Sequence, residues 1–400
     1  MKRILMLGGS MAQVSAIKHA KKLGLEVILC DYLPDNPGQY YADRFYQVST
    51  TEKEAILQVA IKERINGIVA YASDPAAPTA AYVGNKLGLP SNPYESVLTL
   101  CRKDLFRRFL KENGFNTPKG ESFTSIGDAL DFFHECGDKV IVKPVDSSGS
   151  KGVRIVDNDE DLIEAFEKAL EIAREQIVAV EQVVDSKFKV VLAGDGFVYN
   201  GELKMYCPLN SHRNPKCNPL VPVGTSFPPV FSTESIAQVS SEIQRALSIL
   251  GVRQGGINLD IIVDSFDRPY LIEIGPRNGG NLIPEQTRLI TGIDMIDLTI
   301  KSAMGMSLGQ IPEVRSSKII ASHVIHSRID GILKGIEFSD YLQSKIIHKL
   351  IYKKNGDRVE KFNGANQALG IIMMEFSTVE EMFDTLERIY DRQILLVYSN

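Results

Sequence analysis

The sequence predicts an α/β protein: a doubly wound parallel sheet at the N-terminus, a larger α+β body, and a small α+β segment at the C-terminus. Three observations lead there. Strand and helix patterns alternate through residues 1–95, the order of a parallel sheet covered on both faces. In the body, two runs rich in β-branched and aromatic residues flank Ser265-Phe266-Asp267-Arg268, a hairpin signal. Near the end, strand-like runs at Lys318–His326, Ile346–Tyr352 and Leu369–Glu375 precede a helix at Val379–Tyr390 with Thr378 as its cap and Glu380-Glu381 in its first turn.

Composition bounds what such a chain can do. Its 400 residues suffice for several domains and a large core. A net charge of -5 argues against a nucleic-acid binder, which carries a basic excess. Cys30, Cys101, Cys136, Cys207 and Cys217 form no CxxC pair, so free thiols in a reducing compartment are expected rather than a disulfide framework or a zinc site. No apolar run approaches the length of a membrane span. The basic start Met1-Lys2-Arg3 leads into an apolar run too short for a signal peptide. The expectation is a cytoplasmic protein with no nucleic-acid or membrane partner.

In the N-terminal part, Arg3–Leu7 reads as a buried strand, Met11–Leu23 as a helix and Glu26–Cys30 as a second strand ending at Asp31. A helix at Glu52–Glu63, a strand at Gly67–Tyr71 and a helix reaching Gly88 follow. Gly8-Gly9-Ser10 lacks the last glycine of a dinucleotide fingerprint, since Ala12 and Gln13 stand there. A Rossmann-like scaffold is therefore expected, its Gly8-Gly9-Ser10 turn facing a substrate carboxylate or phosphate at a helix N-terminus. Ser73-Asp74-Pro75 reads either as a similar loop or as a helix N-cap.

The hairpin carries the sharpest chemical signal. If Asp264 pairs with Pro269, Asp260 falls opposite Glu273. Opposed residues on antiparallel strands have Cβ atoms about 4.5–5.5 Å apart, where like charges repel. A divalent cation relieves that repulsion, and an oxygen pair of this kind suits Mg²⁺ held together with substrate phosphates. Two solvated carboxylates on a hairpin are the plain alternative. The tail Gly275-Pro276-Arg277-Asn278-Gly279-Gly280 adds a guanidinium and flexible backbone beside the pair.

Upstream, Leu98–Asn113 reads as one helix carrying Lys103, and the strand Lys139–Val142 delivers Lys143 to a Ser/Gly-rich loop, Val145–Arg154. Small-residue loops let backbone N–H groups close on phosphate oxygens, and a lysine adds a point charge. The loop is not a Walker A motif, because no Gly-Lys-Ser/Thr opens a helix. A surface turn between strands is the alternative. Asp157–Arg174 reads as a helix and Ile177–Val180 as a strand leading to Glu181-Gln182-Val183-Val184. Met205–Pro229 reads as a long irregular loop over an acceptor site, with His212 and Arg213 as substrate contacts. The helix Glu234–Leu250 reads as structural.

In this order Lys103, Lys143 with its loop, Glu181–Val184, Asp260, Glu273 and Arg277–Gly280 resemble the ATP-grasp superfamily, in its carboxylate–amine ligase and biotin carboxylase-like branch. The resemblance implies a Rossmann-like domain over 1–95, an ATP-grasp domain over 96–310 with a mobile lid at about 116–188, and a C-terminal α+β domain over 311–400 that packs on the grasp and offers a dimer surface. It implies ATP with Mg²⁺, or Mn²⁺ in its place. It assigns Lys103 and Lys143 to the phosphates, and Ser148, Gly149, Ser150 and Gly152 to the loop over them. The Glu181 carbonyl and Val184 amide go to the adenine, Asp260 and Glu273 to the metal. Arg277 faces an acyl phosphate or a substrate carboxylate, with Asn278 and Gly279 beside it.

Two positions depart from the family pattern. Phe188 stands where an acid usually meets the ribose, which leaves Asp185 as a substitute. Gly275 stands where a metal-binding Asn is common, which leaves Asn278 or water. The implied activity is ATP-dependent ligation of a small carboxylic acid to an amine through an acyl phosphate. A nucleotide- or dinucleotide-binding regulator and a bicarbonate-activating carboxylase are the alternatives.

Overall fold

Residues 1–399 are described by a computed structural model. The N-terminal sheet has the order β3-β2-β1-β4, with β1 (Arg3–Leu7), β2 (Glu26–Asp31), β3 (Arg44–Gln47) and β4 (Gly67–Val69) all parallel. β1 and β2 are nearly unbroken apolar runs because both faces are covered. Ile4, Met6, Val27 and Leu29 pack under helix α1 (Met11–Lys22). Leu5, Leu7, Ile28 and Cys30 pack under α2 (Lys53–Glu63), with Val83 of α3 (Ala77–Leu87) in the same cluster. β3, a short edge strand of mixed polarity, was not expected.

The expected single helix at Leu98–Asn113 is two helices, α4 (Tyr94–Cys101) and α5 (Lys103–Glu112). Arg102 between them is extended, and its guanidinium binds Asp104 at 2.8 and 3.1 Å. The break frees the N–H of Lys103 to bond the carbonyl of Val145 at 2.9 Å. It thereby seats the new helix against the Ser/Gly loop.

A second, antiparallel sheet follows in the order β5-β8-β6-β7: β5 (Gly120–Phe123), β6 (Val140–Pro144), β7 (Arg154–Val156) and β8 (Val178–Gln182). Val140, Val142, Val178 and Val180 face helices α6 (Ile126–Cys136) and α7 (Asp159–Ile172), whose Phe132, Phe133, Leu162 and Phe166 complete that core. Side chains alternate across a strand, so Lys143 and Glu181 fall on the opposite face.

The largest sheet has eight strands, β13-β12-β9-β10-β11-β14-β18-β16. β9 (Val191–Tyr199), β10 (Glu202–Arg213), β11 (Pro222–Phe227), β12 (Gln254–Val263) and β13 (Pro269–Gly275) come from the body, and β14 (Ile320–Ile325), β16 (Ile346–Ile351) and β18 (Gly370–Glu375) from the C-terminal segment. That segment therefore continues the same sheet through the β11–β14 pairing. Helix α8 (Thr233–Leu250) buries Val239, Ile243, Ala246 and Leu247 in one core with β12 and β13. Helices α9 (Ile283–Thr291) and α10 (Met295–Ala303) lead toward the N-terminal sheet, and Ile296 and Ile300 join its core. A three-stranded sheet, β17 (Arg358–Val359), β15 (Gly331–Phe338) and β19 (Ile394–Ser399), lies at the end, with α11 (Asp340–Lys345) and α12 (Val379–Glu387) nearby.

The expected irregular loop at Met205–Pro229 is instead most of β10, a short connection at 214–221, and β11. Its polar residues do not alternate with apolar ones because they are buried against each other. Asn210 donates to Ser226 at 3.0 Å, and the hydroxyls of Thr225 and Ser322 lie 2.9 Å apart. Among the described residues no helix is long and apolar enough to cross a membrane.

Candidate nucleotide and metal site

Asp260 on β12 and Glu273 on β13 are register partners, as expected, but by a different route. The turn pairs Val263, not Asp264, with Pro269, and a bulge between Asp260 and Ile261 restores the predicted pair. Asp264 instead closes the turn, its carboxylate accepting from the N–H groups of Phe266 and Arg268, each at 2.9 Å. Burial, with Glu273 adding to it, pushes the Asp260 carboxyl up to about 6 against the pull of Arg213 and Arg277. Among the described residues no group of three or more His, Cys, Asp or Glu could enclose a metal. A lone carboxylate pair fits an ion that completes its shell with water and phosphate oxygens, as Mg²⁺ does.

Arg277 sits beside this pair. Its Nη2 lies 2.6 Å from Asp74 and 3.9 Å from Glu273. Burial works against the guanidinium, yet Asp74 and Glu273 together hold its pKa above the usual value. Asp74 is thus no N-cap: α3 starts after Ala76 with no side-chain cap, and the carboxylate reaches across the molecule instead. Gly275 makes room for that contact, since a Cβ there would come within 2.9 Å of Asp74 and 3.1 Å of Arg277. An Asn ligand at 275 would collide with the pair.

On the second sheet Lys143 and Glu181 are both buried, with Nζ and Oε2 2.6 Å apart. Arg107 on α5 donates to Glu181 at 3.0 Å and to the β13 carbonyls of Ile272 at 2.9 Å and Leu271 at 3.4 Å. One guanidinium therefore ties the Lys143–Glu181 pair to the strand that carries Glu273. Burial pushes Lys143 down to about 8 although Glu181 pulls the other way. Glu181 itself is held low by Arg107 and Lys143 against a burial effect that would raise it.

Glu181 lies in register between Gly120 and Ile141. Its carboxylate, rather than a free edge carbonyl, is what it offers the site. The strand ends at Gln182, and Val183 and Val184 follow outside the ladder. Lys103 Nζ reaches the Ser147 carbonyl at 2.5 Å, at the root of the loop holding Ser148, Gly149, Ser150 and Gly152. Ser150 donates to the Leu220 carbonyl at 3.0 Å. Phe188 fills the ribose-acid position with an aromatic contact, its ring 4.7 Å from Phe231 and packed on the core of α8.

Other expected residues are placed elsewhere. Arg213 shares a face of β10 with Ser211, to which it donates at 2.5 Å, and its charge bears on Asp260. His212 points to the other face, bonded to Ser226 at 2.8 Å and packed edge to face against Phe383, so it does not join Arg213. Asn278 is buried and accepts from Thr299 at 2.8 Å, so it does not replace the missing Asn as a ligand. Gly279 donates its N–H to Asp195 at 2.9 Å, so that group is already used. At the N-terminal turn the Gly9 N–H is held by Asp31 at 2.7 Å, while Ser10 caps α1 and bonds Gln13. The Gly9 N–H and the Ser10 hydroxyl are thus both engaged within the turn.

Two residues that matter, Arg107 and Asp195, were not read from sequence, and Asp74 and Asn258 were read without the partners they prove to have. Asp195 is fully buried in β9 and holds Gly279 and the Asn258 amide, the latter at 2.9 Å, which fixes the turn after Glu273. Burial raises its carboxyl to about 6. A single Asp inside the apolar run Val191–Tyr199 was the available signal. Arg107 gave none, and the pairing of Asp74 with Arg277 could not be read, because those partners lie far away in sequence.

Residues 102–311 match the family of the carbamoyl-phosphate synthase L chain, ATP binding domain, and the chain belongs to that family. This places it among the ATP-grasp enzymes of the carboxylate–amine ligase type. It is similar to formate-dependent phosphoribosylglycinamide formyltransferase of Pelobacter propionicus, 25% identical over 352 residues covering 84% of each chain. Among solved structures it resembles an L-amino acid ligase from Bacillus licheniformis, with TM-score 0.85 and 21% identity over 100% of this chain and 99% of that one. A phosphoribosylglycinamide synthetase from Anaerococcus prevotii gives TM-score 0.76 and 22% identity, with both chains fully covered.

Proposed function

We propose that the chain activates a small carboxylic acid with ATP and passes the acyl group to an amine, releasing ADP and phosphate. The observation that carries this reading is Arg107, which joins the buried Lys143–Glu181 pair to the strand bearing Glu273. Cations and a carboxylate pair thus meet from two sheets, the arrangement needed to hold a charged triphosphate between them. Three units share the work on this reading: a Rossmann-like domain over 1–95, the grasp over 96–310 with its lid at about 116–188, and the C-terminal segment over 311–400.

Asp260 and Glu273 would hold Mg²⁺, with Mn²⁺ as a substitute, and the ion would neutralise phosphate charge. The chain's own residues do the rest by position and charge. Lys143 and Lys103 hold the phosphates. The backbone N–H groups of the Ser148–Gly152 loop cover them and keep water away. Val184 meets the adenine at the end of β8. Arg277, held by Asp74, faces the substrate carboxylate whose oxygen attacks the γ-phosphate. The amine nitrogen then attacks the acyl carbon of the acyl phosphate, the C–O bond to phosphate breaks, and phosphate leaves as the nitrogen gives up a proton and the amide forms. Arg213 stands at the far side of Asp260 as a contact for the second substrate. The Gly9 N–H is already bonded to Asp31, which removes the donor a dinucleotide site would use.

The test is a screen of acid and amine pairs for ADP and phosphate release. Turnover is expected only with a matched pair. Glu273→Gln should lower it by about two to three orders of magnitude, the scale of losing one charge-stabilising group, in a protein whose melting temperature is retained. ADP release unaffected by that change would rule the reading out. Release that needs bicarbonate in place of another acid would move the enzyme to the carboxylase branch.

A further inference from the structure

Among the described residues, Arg213 pairs with no carboxylate. It projects from β10 onto the face of the large sheet that bears Asp260. Asp260 is the register partner of Ala193 on β9, and Ala193 that of Leu209 on β10. Side chains alternate along a strand, so Leu209, Ser211 and Arg213 share that face. Arg213 Nη1 is already used, donating to the Ser211 hydroxyl at 2.5 Å and to the His212 carbonyl at 3.3 Å. Ser211 is only 2% exposed, which anchors the guanidinium in the sheet. Nε and Nη2 donate to nothing, and neither is among the polar atoms shut away from solvent. Together they form one edge of the guanidinium, whose two parallel N–H groups match the two oxygens of a carboxylate.

The charges around Arg213 leave room for an anion. Asp260 bears on it and opposes the fall in pKa that burial causes, yet the two form no ion pair. In the proposed reaction Asp260 belongs to Mg²⁺. Once the ion takes that carboxylate, Arg213 stands near a dication with no counter-charge of its own. A charge withdrawn from water without a partner is unfavourable. Arg277, by contrast, keeps Asp74 at 2.6 Å. The triphosphate has other cations, Lys103 and Lys143 besides the metal. Arg213 also lies on the side of Asp260 away from Glu273, because the sheet runs β13-β12-β9-β10. Neighbouring strands are about 4.7–4.9 Å apart, so β10 stands about 10 Å from β12, a span that suits a small molecule lying across the sheet. The Asp260 oxygens at the other end of that span are not shut away from solvent either.

We propose that the Nε–Nη2 edge of Arg213 receives a carboxylate carried by the amine substrate, so that the acceptor is an amino acid and the product keeps a free carboxylate beside its new amide. This assignment rests on the ligase reading and deepens it. With its carboxylate on Arg213, the amino acid turns its nitrogen toward the metal pair, where the acyl phosphate forms. The bond changes are those of the amide-forming step. An amine without a carboxylate lacks the anchor and leaves Arg213 unpaired.

The experiment uses the full chain saturated with a non-hydrolysable ATP analogue and Mg²⁺, and reads thermal unfolding. The probes are the standard α-amino acids, each compared with the amine that lacks its carboxylate, such as alanine with ethylamine. At least one amino acid should stabilise the nucleotide-bound protein saturably, with no response to its counterpart. Arg213→Met should weaken that response by about 10- to 100-fold, the scale of losing hydrogen bonds to a charged group. Arg213→Lys should restore part of it. The response to the nucleotide analogue should persist in both variants and shows that they fold. An amine that binds as well as its amino acid, an undiminished response in Arg213→Met, or no amino acid response in the nucleotide-bound parent overturns the proposal. So does loss of the nucleotide response in Arg213→Met with an unchanged circular dichroism spectrum, which would assign Arg213 to the phosphates. No nucleotide response in the parent protein would instead sink the ligase reading itself.

Discussion

Lys143 is a charge in a place that resists charge. Burial lowers its pKa to about 8 even with Glu181 2.6 Å away. Below pH 8 the ammonium is protonated in both folded and unfolded chains. Between about 8 and the usual lysine value of 10.5 the unfolded chain binds more protons. The contribution of Lys143 to stability therefore increases with pH across that window. Nucleotide binding runs the other way, because the triphosphate needs the ammonium. ATP affinity measured by calorimetry should fall as pH rises through about 8, and Lys143→Arg should flatten that dependence because a guanidinium stays charged. Lys143→Met should weaken ATP binding by about 1.5–3 kcal/mol, the usual value of a hydrogen bond to a charged group. An affinity independent of pH from 7 to 9.5 in the parent protein would remove Lys143 from the phosphates.

At the scale of elements, the large sheet depends on a close approach between β9 and β10. Gly194 has φ +127° opposite Pro208, and a Cβ there would overlap the Cys207 carbonyl. Gly194→Ala should therefore cost about 2–4 kcal/mol from backbone strain and displacement, read as a lower urea midpoint. A loss below about 0.5 kcal/mol would mean the strands can shift freely. The same sheet shows which elements sequence can reveal. β1, β2 and β12 carry strong apolar patterns and were legible. The Asp260–Glu273 pair was legible for a partly wrong reason, since a bulge corrected a turn register read one residue off. β10 and β11 were not legible because they pair through buried polar residues, Asn210 with Ser226 and Ser211 with Thr225, and hydrophobic patterning cannot report a hydrogen-bonded interior. The break at Arg102 was hidden because what decides it is the Lys103–Val145 bond between elements 42 residues apart in number. Asp74 and Arg277, which face each other across 203 residues, show the same limit at the site itself.

At the scale of the whole molecule, the Ser/Gly loop joins three parts of the chain. Ser150 bonds Leu220 in the β10–β11 connection, and Asn218 of that connection bonds the Asn363 side chain at 2.9 Å. A Cβ placed on Gly149 would lie 3.9 Å from that of Ala365. That separation matches the mean of about 3.8 Å between disulfide-linked Cβ atoms. A protein carrying Gly149→Cys and Ala365→Cys should therefore close a crosslink on oxidation. Gly149 has φ +65°, so the new residue carries roughly 1–2 kcal/mol of strain, which lowers the yield without preventing the bond. If the loop must open to exchange nucleotide, the oxidised protein should lose most of its ADP release and regain it with a thiol reductant. Each single variant, treated alike, should show no redox dependence. A covalent tie between positions 149 and 365 would hold the loop and the C-terminal segment together as they stand in this structure. Full turnover in a protein shown by thiol titration to be crosslinked would mean that nucleotide enters without the loop lifting, and would end the description of residues 116–188 as a moving lid.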